Sequence, residues 1–536
     1  MYSILDDSAA SYPYKAAIDY EGSRIRYKEL KLMADSLANA LLGMGVGKGK
    51  SVVVYLPNCP QYIIGDFAIL KAGAFTTPIS PLHKAGEVEY QLNKCGAETI
   101  ICLEEDLELF ESMKDKTNLQ NIIVTDIGDY ADKGAAAQTK TAPGTHRFVD
   151  LITEHEGDPP PPDPGIDPTE DLAYLAFTGG STGIPKGVML THSARYCNVM
   201  QGLPWVYSPL MGGIKGKSSV IIPVPLFHIY GHWVLHSAMY MGLRIILLPD
   251  PRNMDKLVEL MQRNRPLLVC VVPTQLMRLV GKKIGRMPVT IMSGAAPLPS
   301  QVADDIGEEL KMPISEGYGL TETGPVTHMN VSSFSKVTGF MRMFKRGIGI
   351  PIPDTEVKLV DPGTGEDIGF DEEGELYLRG PQLMKGYWPT PGDGLTDDGW
   401  VTTGDVAKVD EDGYFYIVDR VKDMANISGY KVYTTVVDEV LFTHPAVSMA
   451  VSIGVPDPER AGSERIKAFI RVKDDYEGEI KTEDLIEHCR EKLPPYAIPK
   501  FIEFNDDLPL TVTEKLFKRA LREKEVQKMK EKGELG

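Results

Sequence analysis

Between residue 25 and about residue 110 the chain alternates amphipathic stretches with short β-rich runs: YKELKLMADSLANALLGMG, SVVVYLPN, YIIGDFAILKAG and FTTPISP. Apolar positions recur at helical spacing in the first and third of these, and β-branched and aromatic residues crowd the second and fourth. That alternation predicts βαβ units around a parallel sheet. The segment GDPPPPDPGIDP (157–168) is too rich in proline for a helix or a central strand and reads as a surface connector. After it, DLAYLAFTGG opens a new buried strand. Further strands are expected in SSVIIPVPL, RIILLP, PLLVCVVP and PVTIMSG, with helices in GHWVLHSAMYMG and SQVADDIGEELK between them. From about residue 419 the character changes. VDRVKDMANISGYKVYTTVVDEVLFTHPAV leads into the apolar strands MAVSIGV and KAFIRVK, the amphipathic helix TEDLIEHCREKL and a lysine-rich tail. The expected fold is α/β: a large N-terminal domain of several subdomains over 1–418, with β-sheets flanked by helices, and a small α+β domain over 419–536.

Composition narrows the class. A chain of 536 residues exceeds what one core serves, and no stretch approaches the ~20 apolar residues needed to cross a bilayer. Neither the start, MYSILDDSAASYP, nor the end, KEKGELG, carries a targeting pattern, so a cytoplasmic address is expected without integral membrane association. The cysteines (Cys59, Cys95, Cys102, Cys197, Cys270, Cys489) lack CxxC spacing and read as reduced, mostly buried thiols. A net charge of −18 disfavours nucleic acid as a partner and means that a polyanionic substrate must be held locally.

One segment can hold such a substrate. Thr178, Gly179, Gly180, Ser181, Thr182, Gly183, Ile184, Pro185, Lys186 and Gly187 follow the apolar run LAYLAF. Glycines let a backbone wrap a triphosphate, hydroxyls and amides donate to its oxygens, and Lys186 adds a compact positive charge. An ordinary polar surface loop has the same composition. It is not a Walker A loop, and GVGKGKS at 45–51 fails that pattern too, since position 44 is methionine and the stretch joins a helix to a strand.

Together with LKAGAFTTPISP (70–81), PLFHIYG (225–231), SGAAPL (293–298), GYGLTET (317–323), GWVTTGD (399–405), DRVKDMANISGYKV (419–432) and LPLTVTEK (508–515), this segment resembles the adenylate-forming superfamily of acyl-CoA synthetases, carrier-protein adenylation domains and beetle luciferases, nearly end to end. The resemblance implies an acid–thiol ligase. Carboxylate attacks the α-phosphorus of Mg·ATP to give an acyl-adenylate, and the thiol of coenzyme A then displaces AMP. Glu322 would bind Mg²⁺. Thr321 would donate to the α-phosphate, and Gly317, Tyr318 and Gly319 would line the adenine and acyl side. Gly294, Ala295 and Ala296 resemble the adenine wall, while Asp405 and Arg420 would take the ribose hydroxyls. Taken alone, each of these residues also has a purely structural reading as a turn, cap or ion-pair residue.

Lys515 resembles the C-terminal lysine that contacts the carboxylate and α-phosphate during adenylation. This chain departs from the family just before it, with Glu514 where glycine is usual. Lys422 aligns with the hinge on which the small, mobile domain swings, Gly429 with the pantetheine tunnel, and His228 with the gate between acyl pocket and thiol path. On or near the helix after His228, Tyr230, Trp233, Val234 and Ser237 would face the acyl group, with Thr327 opposite; Tyr230 and Trp233 are as readily core residues. TGGSTG with PLFHIYGH looks closer to fatty acyl-CoA ligases than to acetyl-CoA synthetases, leaving medium- or long-chain fatty, cyclic and aryl acids open. The alternatives are a stand-alone enzyme that loads a carrier protein and a catalytically impaired nucleotide-binding regulator. The sequence leaves oligomeric state open, a homodimer included.

Overall fold

The computed structural model describes residues 1–132, 143–178, 184–207, 211–330, 345–511 and 515–535, with backbone alone at 205–207, 211 and 212. Two large mixed sheets dominate it. One runs, in spatial order, Ile350–Pro351, Val326–Met329, Ser315–Gly319, Thr290–Gly294, Leu268–Val271, Ser219–Ile222, Arg244–Leu247, Ala16–Tyr20 and Ser23–Arg26. The other runs Gly386–Tyr387, Lys186–Thr191, Leu172–Thr178, Phe75–Pro78, Ser51–Tyr55, Thr99–Leu103, Asn121–Thr125 and Thr145–Arg147. Their central pairs are parallel, as the βαβ alternation predicts.

The two sheets share one core. Ile18, Val220 and Leu247 of the first and Val52, Ile101 and Ile123 of the second belong to a single apolar cluster with the helices Pro60–Lys71 and Ile229–Tyr240. Pro60–Lys71 is buried along its whole length, which explains why PQYIIGDFAILK carries almost no polar face. The strands Leu268–Val271 and Ser219–Ile222 are buried at every position and read as continuous apolar runs for the same reason.

A four-stranded antiparallel sheet follows, in the order Glu356–Val360, Gly374–Arg379, Val401–Val409 and Phe415–Arg420. Beyond it lie the hairpin Ala425–Ile427 with Tyr430–Val432, and a three-stranded sheet of Val447–Pro456, Glu464–Val472 and Phe501–Phe504 packed by the helices Thr434–Phe442 and Thr482–Arg490. This last unit touches the rest of the protein at particular points, on the helices Pro273–Leu279 and Ser300–Leu310 and beside the four-stranded sheet. Met277 packs against its apolar clusters, the Ser300 amide donates to Glu439 at 3.2 Å, and the Tyr433 hydroxyl donates to Glu373 at 2.6 Å. Among the described residues no helix is long and apolar enough to cross a membrane.

Candidate active site

The chemistry-bearing residues gather at the carboxyl ends of the strands, where an open α/β sheet forms its crevice. Thr178, Gly294 and Gly319 are each the last residue of a strand. Gly294 pairs with Gly317 across two parallel strands, and Ala295 continues from there with φ +74, a left-handed conformation rare for a residue with a side chain. Thr178 faces Lys186 across an antiparallel pair. Gly179, Gly180, Ser181, Thr182 and Gly183 lie outside the described residues, as does Glu514.

Three elements distant in sequence converge on Asp405. Its carboxylate, only 3% exposed, accepts the Tyr318 hydroxyl at 2.6 Å on one oxygen and Arg420 Nε at 2.9 Å on the other. Asp405 and Arg420 are directly paired in the antiparallel ladder, so the strand register itself sets that contact. Burial, then the Asp405 charge, pushes the Tyr318 phenol well above its ordinary value, so it stays a hydroxyl donor.

A second convergence surrounds Glu322, on the short turn Thr321–Thr323. Tyr387 donates its hydroxyl to Glu322 Oε1 at 2.9 Å, and the Lys186 ammonium lies 4.4 Å above the Tyr387 ring. Met384 N donates to the Glu322 carbonyl at 2.8 Å. The turn is tightly seated: a Cβ at Gly319 would stand 1.8 Å from the Pro325 carbonyl oxygen, so only glycine fits. Tyr387 was missed in the sequence; GYWPT offers no spacing signal, and its role depends on a strand added to the edge of the second sheet.

Lys515 comes to this crevice from the small domain. Its amide donates to Thr511 Oγ1 at 3.1 Å and Thr511 N donates to its carbonyl at 2.8 Å, which fixes the backbone that presents it. Burial, then the Arg420 charge, pushes its ammonium down to about 8 against the opposing pull of Asp405 and Glu322. His228 caps the helix Ile229–Tyr240, and burial followed by the Lys515 charge holds its imidazole down at about 3, hence neutral. Arg420, Asp405, Glu322 and His228 are thus each within electrostatic reach of Lys515.

On the acyl side, Tyr230 donates its hydroxyl to the Met292 carbonyl at 3.0 Å, and Trp233 Nε1 donates to the Asn198 carbonyl at 3.2 Å. The Trp233 ring lies on Gly202, where a Cβ would sit 2.3 Å from it. Val234 and Ser237 are buried on the same helix, and the Thr327 hydroxyl, also buried, lies 3.0 Å from His328 Nδ1. Two expected residues stand apart from this gathering. Lys422 is exposed in the turn after Arg420, and Gly429 sits at the exposed tip of the hairpin with φ +93, where an added Cβ would meet nothing within 4 Å. Ala296, which ends the run after Gly294 and Ala295, is half-buried.

A crevice at the carboxyl strand ends, with a buried aspartate held by tyrosine and arginine and a lysine delivered from a second domain, is the arrangement of a nucleotide-dependent enzyme built from a large and a small domain. The chain belongs to the AMP-binding enzyme family, whose model matches residues 5–388, with the AMP-binding enzyme C-terminal domain matching 436–515. It is 35% identical to the long-chain-fatty-acid–CoA ligase of Bacillus subtilis (strain 168) over 98% of this chain and 95% of that one. To the long-chain-fatty-acid–CoA ligase of Escherichia coli O157:H7 it is 32% identical over 98% and 94%. The crystal structure of the anthranilate CoA ligase AuaEII in complex with anthranoyl-AMP superposes with a TM-score of 0.84 at 26% identity, covering 98% of this chain and 96% of that one. ATP-bound MatB from Rhodopseudomonas palustris shares the fold with a TM-score of 0.84 at 23% identity over 98% of each chain.

Proposed function

We propose that this protein is an AMP-forming acyl-CoA synthetase that activates a medium- or long-chain fatty acid with ATP and transfers it to coenzyme A. The observation that carries the reading is Lys515: the small domain brings one ammonium to a crevice that already holds Glu322, Asp405, Arg420 and His228. The family and the relatives at 35% and 32% identity support both the ligase chemistry and the fatty-acid substrate.

The residues divide the work by their geometry. Asp405 presents two carboxylate oxygens to the ribose hydroxyls, with Tyr318 and Arg420 fixing its rotamer. Gly294, Ala295 and Ala296 form a flat wall for the base, and Lys186, Thr178 and the segment 179–183 meet the phosphates. Glu322 fits Mg²⁺: Oε1 is held by Tyr387, and Oε2 has no partner among the described residues, which leaves a carboxylate oxygen for a hard cation. A cation held there would supply positive charge against the phosphates. Thr321 and Lys515 donate to the α-phosphate as the fatty carboxylate attacks, and Lys515 balances the charge that concentrates there. No protein nucleophile is needed; positioning and charge do the catalysis. Neutral His228 and Tyr230 separate the acyl side from the path of the thiol, and Trp233 walls the acyl pocket. With Lys515 in the crevice and Gly429 at an exposed tip, the domain arrangement suits adenylation. Lys422 is the pivot for the swing that brings Gly429 to the thiol of coenzyme A.

Acid-dependent pyrophosphate–ATP exchange over acetate, butyrate, octanoate, palmitate and benzoate, followed by CoA-dependent AMP release, tests this. Exchange greatest with octanoate or palmitate and AMP release only with coenzyme A are expected. Exchange with none of the acids, or a clear preference for benzoate, overturns the reading.

A further inference from the structure

Behind the crevice lies a charged cluster that the chemistry above does not use. Asp66 sits midway along the buried helix Pro60–Lys71 and is itself fully buried. His232 and His236, one turn apart on Ile229–Tyr240, place their Nε2 atoms 3.1 and 3.0 Å from its two oxygens, and the Thr76 hydroxyl donates to it at 2.7 Å. Arg195, on the helix His192–Tyr207 and also fully buried, donates through Nη2 to His232 Nδ1 at 2.9 Å and through Nη1 to the Gly324 carbonyl at 2.5 Å. The Tyr174 ring stacks on His232 at 4.2 Å and lies 5.5 Å beneath the guanidinium.

Two physical points give the cluster direction. Arginine only donates, so His232 Nδ1 must accept and the imidazole proton is on Nε2, which stands 3.1 Å from Asp66 Oδ1 as an ion-pair contact rather than an aligned hydrogen bond. The three residues therefore form an ordered chain from carboxylate to guanidinium. The same tautomer argues against a cation between Asp66, His232 and His236, a grouping of the right composition to hold one, because Nε2 has no lone pair to offer. Secondly, a buried pair of opposite charges is rarely retained for stability, since apolar residues of equal volume serve as well or better. What this pair does is grip a particular place. Gly324 directly follows the turn that carries Thr321 and Glu322, and one helical turn on from Arg195, Asn198 clamps Val326, donating to its carbonyl at 2.7 Å and accepting from its amide at 3.1 Å.

We propose that Asp66, His232 and Arg195 form a buried positioning relay that fixes the Glu322 turn against the acyl-side helix, so that Mg·ATP binding depends on Arg195 although Arg195 touches no substrate. The inference rests on the role proposed above for Glu322. The variants are Arg195→Met, which keeps the stem and loses the donors, Arg195→Lys, which restores charge and one donor, and Asp66→Asn, which leaves the guanidinium uncompensated. Tyr62→Phe removes a buried hydroxyl that makes no hydrogen bond among the described residues, from a ring in edge contact with His232 at 6.4 Å, and serves as the control.

In pyrophosphate exchange, R195M is expected to raise KM for Mg·ATP about ten- to a hundredfold, the effect of losing the charge-assisted hydrogen bond to the Gly324 carbonyl that holds the turn. KM for the acid should change by less than about threefold, and thioester formation from supplied acyl-AMP and coenzyme A should be unchanged. R195K should recover part of the loss, D66N should fall between, and Y62F should match the parent enzyme. The relay is refuted if folded R195M and D66N keep the parent KM for Mg·ATP, or if acid and nucleotide constants move together. A stoichiometric metal ion that D66N releases also refutes it. Should R195M fail to fold, D66N and R195K decide between the same outcomes. A parent enzyme with no exchange refutes the proposed function instead, and calorimetric titration of Mg·ATP into the variants then still tests the relay.

Discussion

Raising the pH from about 7 to about 10 should switch off adenylation through one side chain, Lys515. In the closed arrangement its ammonium titrates at about 8 rather than at 10.5, because burial disfavours the charge and Arg420 repels it. The difference corresponds to about 3 kcal/mol that the closed state gives up to keep Lys515 charged at neutral pH, which the phosphates of bound ATP would offset. The sign follows. A lysine whose value is depressed on closure is fully charged below about 8, and above that pH each unit removes roughly a further tenfold of the charged form. Since kcat/KM reports the free enzyme, the profile of kcat/KM for Mg·ATP in pyrophosphate exchange should be flat through neutrality and fall with unit slope above about pH 8. His228 contributes no limb in this range, being held neutral at about 3. Lys515→Arg is the decisive comparison, because a guanidinium does not deprotonate in the accessible range. Its rate should be lower throughout but flat to about pH 10. A parent profile that stays flat past pH 10, or a K515R profile with the same alkaline limb, would falsify the assignment of that limb to Lys515.

The remaining predictions test other parts of the crevice. Asp405→Ala removes the shared acceptor of Tyr318 and Arg420 and should raise KM for ATP about ten- to a hundredfold with little change in KM for the acid, read by steady-state exchange. Gly319→Ala drives a methyl group into the Pro325 carbonyl and should destabilise by about 1–3 kcal/mol while abolishing exchange; full activity at the parent unfolding midpoint would show that the turn yields. Trp233→Ala empties the wall over Gly202 at a cost of about 3–5 kcal/mol in denaturant unfolding and should shift preference toward longer acids, whereas an unchanged acid profile removes Trp233 from the pocket.

Much of this protein is written locally. The apolar runs SVVVY and LVCV and the helix pattern over 27–43 specify their elements because burial on both faces of a parallel strand, or one face of a helix, leaves a periodic trace. The loop around Thr178 could be read as a phosphate holder from its glycines, hydroxyls and lysine, whereas Gly294, Glu322, Asp405 and Lys515 were legible only through the resemblance of their motifs to a family, since each alone also fits a turn, cap or ion-pair residue. Tertiary structure decided what no window of sequence contains. Tyr318 and Arg420 meet on Asp405 only because a strand register and a sheet edge bring positions 318, 405 and 420 together. Tyr387 reaches Glu322 by adding a strand beside Lys186–Thr191, and Lys422 and Gly429 are exposed, on the turn after Arg420 and at a hairpin tip, which no motif shows. The hidden chain from Asp66 through His232 to Arg195 joins three helices between positions 66 and 232, and each member alone reads as a single polar residue with no partner in its own stretch of sequence. The order of motifs along the chain pointed to the reaction through their resemblance to a family. The packing of distant elements, where burying a charge is tolerable only beside its partner, decided which of those residues stand together.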